Sequence, residues 1–144
     1  MLRGNYLATV DEKGRVKIPS DFLAQIQKSG KFYVTSSRGD HARVYPMKVW
    51  EEIEKKLAKL SSHNSAKQKF LARTNYYGQV VELDGQGRIL IPPMLRESAE
   101  MKGEVVVQGQ LTYLEIWNHV RFLDQMKRNP ITTEDEKAWD EMGV

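Results

Sequence analysis

The sequence predicts an α+β fold, mainly β, in which one supersecondary unit is used twice and both copies share a core. Three observations lead there. Asp11-Glu12-Lys13-Gly14-Arg15-Val16-Lys17-Ile18-Pro19 recurs as Asp84-Gly85-Gln86-Gly87-Arg88-Ile89-Leu90-Ile91-Pro92, the same turn-and-strand phrase at an offset of 73 residues. That offset also sets Phe22 over Leu95, Gly30 over Gly103, Phe32 over Val105 and Val34 over Val107; after a one-residue deletion, Val44-Tyr45 falls over Ile116-Trp117 at an offset of 72. Within each copy, short alternating apolar runs are punctuated by turn residues, as expected of short strands with one buried face.

Each element follows from a local signal. Asp11 and Gly14 predict a turn, because the Asp carboxylate accepts backbone N–H groups two residues on and glycine tolerates positive φ. Val16-Lys17-Ile18 reads as a strand ended by Pro19. A helix is expected next, capped by Ser20 or Asp21, with Phe22, Leu23 and Ile26 on one face and Gly30 as a left-handed C-terminal cap. Phe32-Tyr33-Val34-Thr35 and Arg43-Val44-Tyr45 follow as strands. Trp50, Ile53, Leu57 and Leu60 recur at steps of three and four with the Glu and Lys residues of 51–59 opposite them, which predicts an amphipathic helix. Ser61-Ser62-His63-Asn64 breaks it, and Ala66, Phe70 and Leu71 indicate a second, shorter helix before Tyr76. In the second copy Pro93 takes the first helical position, Gly103 closes the helix, and Glu104–Val107 and Tyr113–Trp117 are strands. A further helix, capped by Asn118, uses Phe122, Leu123 and Met126. The segment from Thr133 to Val144, with Thr133 as a cap and Trp139 as its main apolar residue, reads as a small docked helix or a mobile tail.

At 144 residues the chain has the size of one ordinary domain. A copy of roughly 50–60 residues with short strands is too small to stand alone, so the halves are expected to interlock. No stretch approaches the ~18 consecutive apolar residues of a membrane span, and the start lacks the apolar core of a signal peptide, which predicts a cytoplasmic protein. The absence of cysteine agrees and removes disulfides, thiolate metal sites and cysteine nucleophiles. Net charge is +3 but uneven: residues 1–60 hold 12 Lys and Arg against 7 Asp and Glu, residues 61–144 hold 10 against 12. Such asymmetry hints at a polyanionic partner.

The repeated turn carries the chemistry. Lys13, Arg15 and Lys17 bracket Gly14, whose bare backbone leaves room beside them. An arginine on a turn presents a planar fork that grips a phosphate or pairs with guanine O6 and N7 in the major groove, while lysine serves phosphate as a mobile point charge. Asp11 so close to Arg15 points to a carboxylate that ties the turn's backbone or steers the guanidinium, and Asp84 to the same for Arg88. Taken singly, either phrase reads more readily as a structural turn with a surface ion pair than as a binding site.

The first phrase resembles the DNA-binding module of AbrB-type swapped-hairpin barrels. Its pairing with Leu83-Asp84-Gly85-Gln86-Gly87-Arg88-Ile89-Leu90-Ile91-Pro92 in one chain resembles the MraZ family, with a D-x-x-x-R element at Asp11/Arg15 and another at Asp84/Arg88, an opening Met1-Leu2-Arg3-Gly4 and a later Glu115-Ile116-Trp117. The likeness is read over Met1 to Met126. It implies a tandem AbrB-type swapped-hairpin β-barrel folded as an intramolecular pseudo-dimer with surrounding helices: a first repeat with its following helix over 1–60, a connecting helical segment over 61–76, a second repeat over 77–127 and a tail over 128–144. It also implies a ring-forming, nucleoid-associated transcriptional regulator of the bacterial division and cell-wall gene cluster, its own promoter included, that binds repeated boxes in double-stranded DNA and needs no cofactor. Carried over by motif, the DNA-binding set is Arg15, Lys13, Arg88, Lys17, Gln86 and Arg3, and the loop-structuring set is Asp11, Gly14, Asp84 and Gly87. The second turn has Gln86 where the first has Lys13.

Other signals lead elsewhere. Gly85-Gln86-Gly87 fails as a dinucleotide fingerprint, since Leu90 stands at the third glycine position and a strand follows where a helix is required. His41, His63 and His119 lack ligand spacing and nearby carboxylate clusters, so surface or capping roles are expected and no metal. Trp50, Trp117 and Tyr45 fit the core better than a base-stacking platform. The leading class is a DNA-binding regulator without enzymatic activity. The alternative is a protein-interaction module of antitoxin type, in which the barrel serves assembly and the tail or helices grip a partner; Trp139 and Met142 are the apolar hints in the tail. An enzyme ranks third, for want of a nucleophile–base pair.

Overall fold

The two copies exchange strands. The computed structural model describes residues 1–144. The first copy comprises β1 (Asn5–Val10), β2 (Arg15–Lys17), α1 (Ser20–Ile26), a 3₁₀ turn, β3 (Lys31–Thr35) and β4 (Ala42–Pro46). Helices α2 (Met47–Ala58) and α3 (Ser65–Tyr76) lead to the second copy: β5 (Gln79–Glu82), β6 (Arg88–Leu90), α4 (Pro93–Ser98), β7 (Gly103–Gln110) and β8 (Tyr113–Asn118). Helices α5 (His119–Arg128) and α6 (Thr133–Glu141) complete the chain.

All strand pairs are antiparallel, in the order β5-β3-β4-β8-β7-β1-β2-β6. The two ends of that order meet at the second turn, where the Asp84 N–H donates to Arg88 O at 3.0 Å, so the sheet is a nearly closed barrel. The first strand of each copy pairs with the third strand of the other, Ala8 opposite Val105 and Val81 opposite Phe32. Equivalent residues face each other at two places, Val16 opposite Ile89 and Arg43 opposite Glu115. A pseudo-two-fold axis therefore pierces the barrel wall at both.

This exchange is what builds the core. Val16, Ile18, Phe22, Phe32 and Val34 from the first copy interlock with Ile89, Ile91, Leu95, Val105 and Val107 from the second in one apolar cluster, none more than 1% exposed. Each such side chain is worth about 1.5–3 kcal/mol on burial, and the two copies contribute to one continuous cluster. A smaller cluster outside the barrel joins Tyr33, Tyr45 and Trp50 to α2 and α3, with Trp50 stacked on Tyr33 at 4.7 Å. The Thr74 carbonyl on α3 accepts from Tyr33 Oη at 2.9 Å and Thr35 Oγ1 at 2.6 Å. Core roles for Trp50, Tyr45 and Trp117 are thus borne out.

Several local expectations are corrected. Neither Ser20 nor Asp21 caps α1: Pro19 holds the N-cap position without a side-chain bond, and Asp21 accepts from the Tyr6 hydroxyl instead. Pro46 and Pro92 start α2 and α4 in the same way, with nearly identical backbone angles. Gly103 does not close α4, which ends at Ser98; Glu100, at φ +52°, turns the chain so that Met101 is buried, and Gly103 opens β7. Helix α3 is as long as α2, and Leu60 lies beyond α2, exposed. On α5 only Phe122 packs inward, edge-on against Trp117, while Leu123 and Met126 face solvent. Thr132 rather than Thr133 caps α6, in a reciprocal box with Asp135. Strands β1 and β5 have no counterpart among the sequence expectations.

Candidate nucleic-acid interface

Each turn is built by one carboxylate. Asp11 Oδ1 accepts the N–H groups of Lys13 and Arg15, both at 2.9 Å, and Oδ2 accepts Arg15 Nε at 2.8 Å. The Gly14 N–H donates to Asp11 O at 3.0 Å, and Gly14 sits at φ +83°, where a side chain would be strained. The second turn repeats this: Asp84 Oδ1 takes the N–H groups of Gln86 and Arg88 at 2.9 Å, and Oδ2 takes Arg88 Nε at 2.7 Å. Backbone tie and guanidinium steering, alternatives in the sequence, are both done by the same side chain. The Arg15 N–H is the main reason Asp11 is held below the ordinary carboxylate range; the Arg15 side chain and the Lys13 N–H add to it against desolvation. The Arg88 N–H does the same for Asp84.

Pairing of β2 with β6 sets the turns side by side. Ile18 N–H donates to Gly87 O at 2.9 Å and Ile91 N–H to Gly14 O at 3.0 Å, a symmetric lock across the axis. Arg15 Nη1 then lies 3.9 Å from Asp84 Oδ2, and Arg88 Nη1 3.6 Å from Asp11 Oδ2. The four side chains form one alternating quartet, each roughly a quarter to a third exposed. Its formal charge cancels. Each guanidinium has Nε on its own turn's carboxylate and Nη1 toward the other's, with about a quarter of each arginine side chain exposed, while the surplus positive charge comes from outside the quartet.

That surplus is asymmetric. Lys13 and Lys17 are exposed beside the first turn, whereas Gln86 and half-buried Leu90 occupy the equivalent places beside the second. The helices accentuate the difference, because each covers the turn of the other copy. A Cβ on Gly14 would stand 2.1 Å from Arg96 Nη1 of α4, and one on Gly87 would stand 2.8 Å from Leu23 Cδ1 of α1. Leu23 and Arg96 are themselves equivalent at the offset of 73. The first turn thus gains a fourth cation, lent by the second copy, and the second turn gains a methyl group. Arg96 is absent from the sequence-derived site; its signal was a charge at a helical position that is apolar in the other copy.

Arg3 is not brought to this site. Leu2 pairs with Leu111, and Gly4 O accepts from Gly109, so Arg3 lies before β1 and is separated from the turn by the length of that strand, which alone spans about 20 Å at some 3.3 Å per residue. Among the histidines, His63 is exposed as expected, and the surface placement of His41 is corrected. His41 is buried, stacked flat on Trp117 at 4.4 Å with Nδ1 2.7 Å from Asp40, and His119 pairs with Glu104. Each has a carboxylate neighbour, but no three His, Asp or Glu side chains converge as metal ligands would. No helix is long and apolar enough to cross a membrane.

A family profile described as "MraZ protein, putative antitoxin-like" matches residues 1–73 and 78–142, well past Met126, where the likeness was read to end. Over the full length of both chains, this one is 51% identical to a protein of Acidobacterium capsulatum named Transcriptional regulator MraZ and 50% identical to one of Koribacter versatilis with the same name. A namesake from Thiobacillus denitrificans is 34% identical over 88% of this chain and 86% of its own length.

Proposed function

The chain belongs to the MraZ family, and from that premise we propose that it is a DNA-binding transcriptional regulator, not an enzyme, which presents its paired Asp–Arg turns to duplex DNA. The observation that carries this reading is the quartet: two arginines held rigidly side by side on adjoining β-turns, with cations flanking one of them. A two-stranded β element fits the major groove, and a pre-oriented guanidinium edge suits guanine O6 and N7. Arg15 and Arg88 read bases, Gln86 offers an amide to adenine, and Lys13, Lys17 and Arg96 hold phosphates. Asp11, Gly14, Asp84 and Gly87 fix the shape that aims them.

One chain offers few cations, so useful affinity comes from several chains on repeated sites, where linkage raises effective concentration. We read the assembly as a ring and the targets as repeated promoter boxes about one helical turn, ~10 bp, apart, in the division and cell-wall gene cluster and upstream of the protein's own gene. Capture of genomic fragments by the purified protein, followed by a footprint on its own upstream region, tests this. Enrichment of repeated boxes supports it; capture no better than random duplex contradicts it.

A second reading has one observation in its favour. Helix α6 has no buried residue, and no hydrogen bond or ion pair ties it to the barrel, although it carries Trp139 and precedes Met142. On that reading the tail grips a partner protein in antitoxin fashion, and removal of residues 129–144 abolishes partner capture while sparing DNA binding.

A further inference from the structure

The pseudo-two-fold axis crosses the barrel wall a second time where β4 pairs with β8, in the register Ala42 opposite Ile116, Arg43 opposite Glu115 and Val44 opposite Leu114. Arg43 and Glu115 are equivalent positions of the two copies, yet they carry opposite charges. Arg43 Nε lies 3.2 Å from Glu115 Oε2, with side chains 35% and 13% exposed. Ring pairs flank them, His41 on Trp117 at 4.4 Å and Tyr45 against Tyr113 at 4.8 Å. Trp117 Nε1 donates to Glu115 Oε1 at 3.1 Å, and Arg43 Nη1 donates to Tyr45 Oη at 3.1 Å. Desolvation works against the Glu115 carboxylate, but His41, the Trp117 N–H and the Arg43 charge outweigh it and hold the group below the ordinary carboxylate range.

We propose that Arg43 and Glu115 select the pairing partner: they let a first repeat close on a second repeat and penalise closure of like on like between chains. Two copies of one unit share strands and register, so β4 has a competing partner in β4 of another chain, and β8 in another β8. On the axis a residue then meets itself, Arg43 against Arg43 or Glu115 against Glu115.

Nothing else in the wall distinguishes these pairings as sharply. The neighbours on the axis strands, Ala42 and Val44 against Leu114 and Ile116, are apolar in both copies. The flanking positions hold rings in either arrangement. At the opposite crossing Val16 and Ile89 are both apolar, and the Asp–Arg motif is the same in each copy, so like pairing would rebuild the quartet. The exposed register pair Lys31–Glu82 would also become Glu104 opposite Glu82 when second repeats close on each other, but it lies in solvent, where such pairs count for little; Arg43–Glu115 is the half-buried, on-axis position that turns from attraction to repulsion. A half-buried ion pair is a weak source of net stability, but uncompensated like charges in the same place are costly, the balance expected of a specificity device.

The test uses the full chain and needs no DNA. Arg43→Glu and Glu115→Arg each place like charges on the axis, and each should melt roughly 3–8 °C below Arg43→Gln, which only removes the pair. The double exchange Arg43→Glu/Glu115→Arg should recover most of that loss. Selection itself is read by unfolding the two single variants together and refolding them as a mixture. Their axes are complementary between chains, so strand-exchanged pairs should form that melt above either variant refolded alone, whereas the same variants mixed after folding should show no gain. If a single variant does not fold by itself, its rescue on co-refolding carries the same meaning. Single variants as stable as Arg43→Gln, or an absence of recovery in both the double exchange and the co-refolded mixture, would overturn the proposal.

Discussion

The first and second turns have one backbone and two surroundings. In both, an aspartate takes two N–H groups and an arginine Nε within 2.7–2.9 Å. Around the first stand Lys13, Lys17 and, from the other copy, Arg96; around the second stand Gln86, Leu90 and Leu23. Shape is set by residues the copies share, and electrostatic character by residues in which they differ. Duplication preserves geometry because geometry is over-determined by bonds, while the flanking side chains make few bonds and are free to diverge.

The strongest way to break this comparison is to separate the copies. A fragment of residues 1–60 leaves β1 and β3 without β7 and β5 and exposes Val16, Ile18, Phe22, Phe32 and Val34. At about 1.5–3 kcal/mol each, that loss is on the order of a domain's whole stability, so the fragment should be unfolded by circular dichroism, and the full chain should unfold in one transition. A folded fragment would mean that the copies are independent units.

Next in size is strain at the turn glycines. Gly14→Ala and Gly87→Ala should each cost about 1–2 kcal/mol in denaturant titrations, because both positions need positive φ. Only Gly14→Ala also displaces a guanidinium, that of Arg96, so on the proposed function it alone should weaken DNA binding beyond the effect of instability. Equal effects on binding would remove Arg96 from the interface.

Acid should act on both turns alike. Asp11 and Asp84 have folded-state pKa values below the unfolded one, so their contribution is present above pH ~4 and is lost as pH falls through the folded values. Melting temperatures from pH 6 to pH 2.5 should fall less steeply for Asp11→Asn/Asp84→Asn than for the parent chain. The smallest effects belong to single phosphate contacts. Lys13→Ala should weaken specific and random duplexes about equally and make the salt slope shallower by about one unit, and Leu23→Arg, which copies Arg96 onto the second turn, should steepen it by a similar amount.

Much of this was legible in the sequence, for physical reasons. Val16, Ile18 and their counterparts alternate because one strand face is buried, and Asp11 and Gly14 announce their turn because an Asx-type turn needs a carboxylate or amide acceptor and a residue that takes positive φ. Strands β1 and β5 escape the sequence reading because each carries an apolar residue on its outward face: Leu7 and Val80, equivalent positions, are both about half exposed and interrupt the alternation of these short runs. Nor do the phrases reveal that they face each other; the Arg15–Asp84 and Arg88–Asp11 approaches arise from strand pairing across 73 residues. His41 has no local pattern that foretells its burial, because the groups that make the site tolerable, Trp117 and Glu115, come from the other copy.

The central claim is that the turns form one DNA-reading surface with the first dominant, and side-by-side titration of Arg15→Ala and Arg88→Ala on a promoter-box duplex and a random duplex tests it most directly. Arg15→Ala should lose ~1–3 kcal/mol of specific binding with little change on random sequence, and Arg88→Ala should lose less. Equal losses would make the turns equal partners, and no loss of specific binding from either variant would contradict the interface itself.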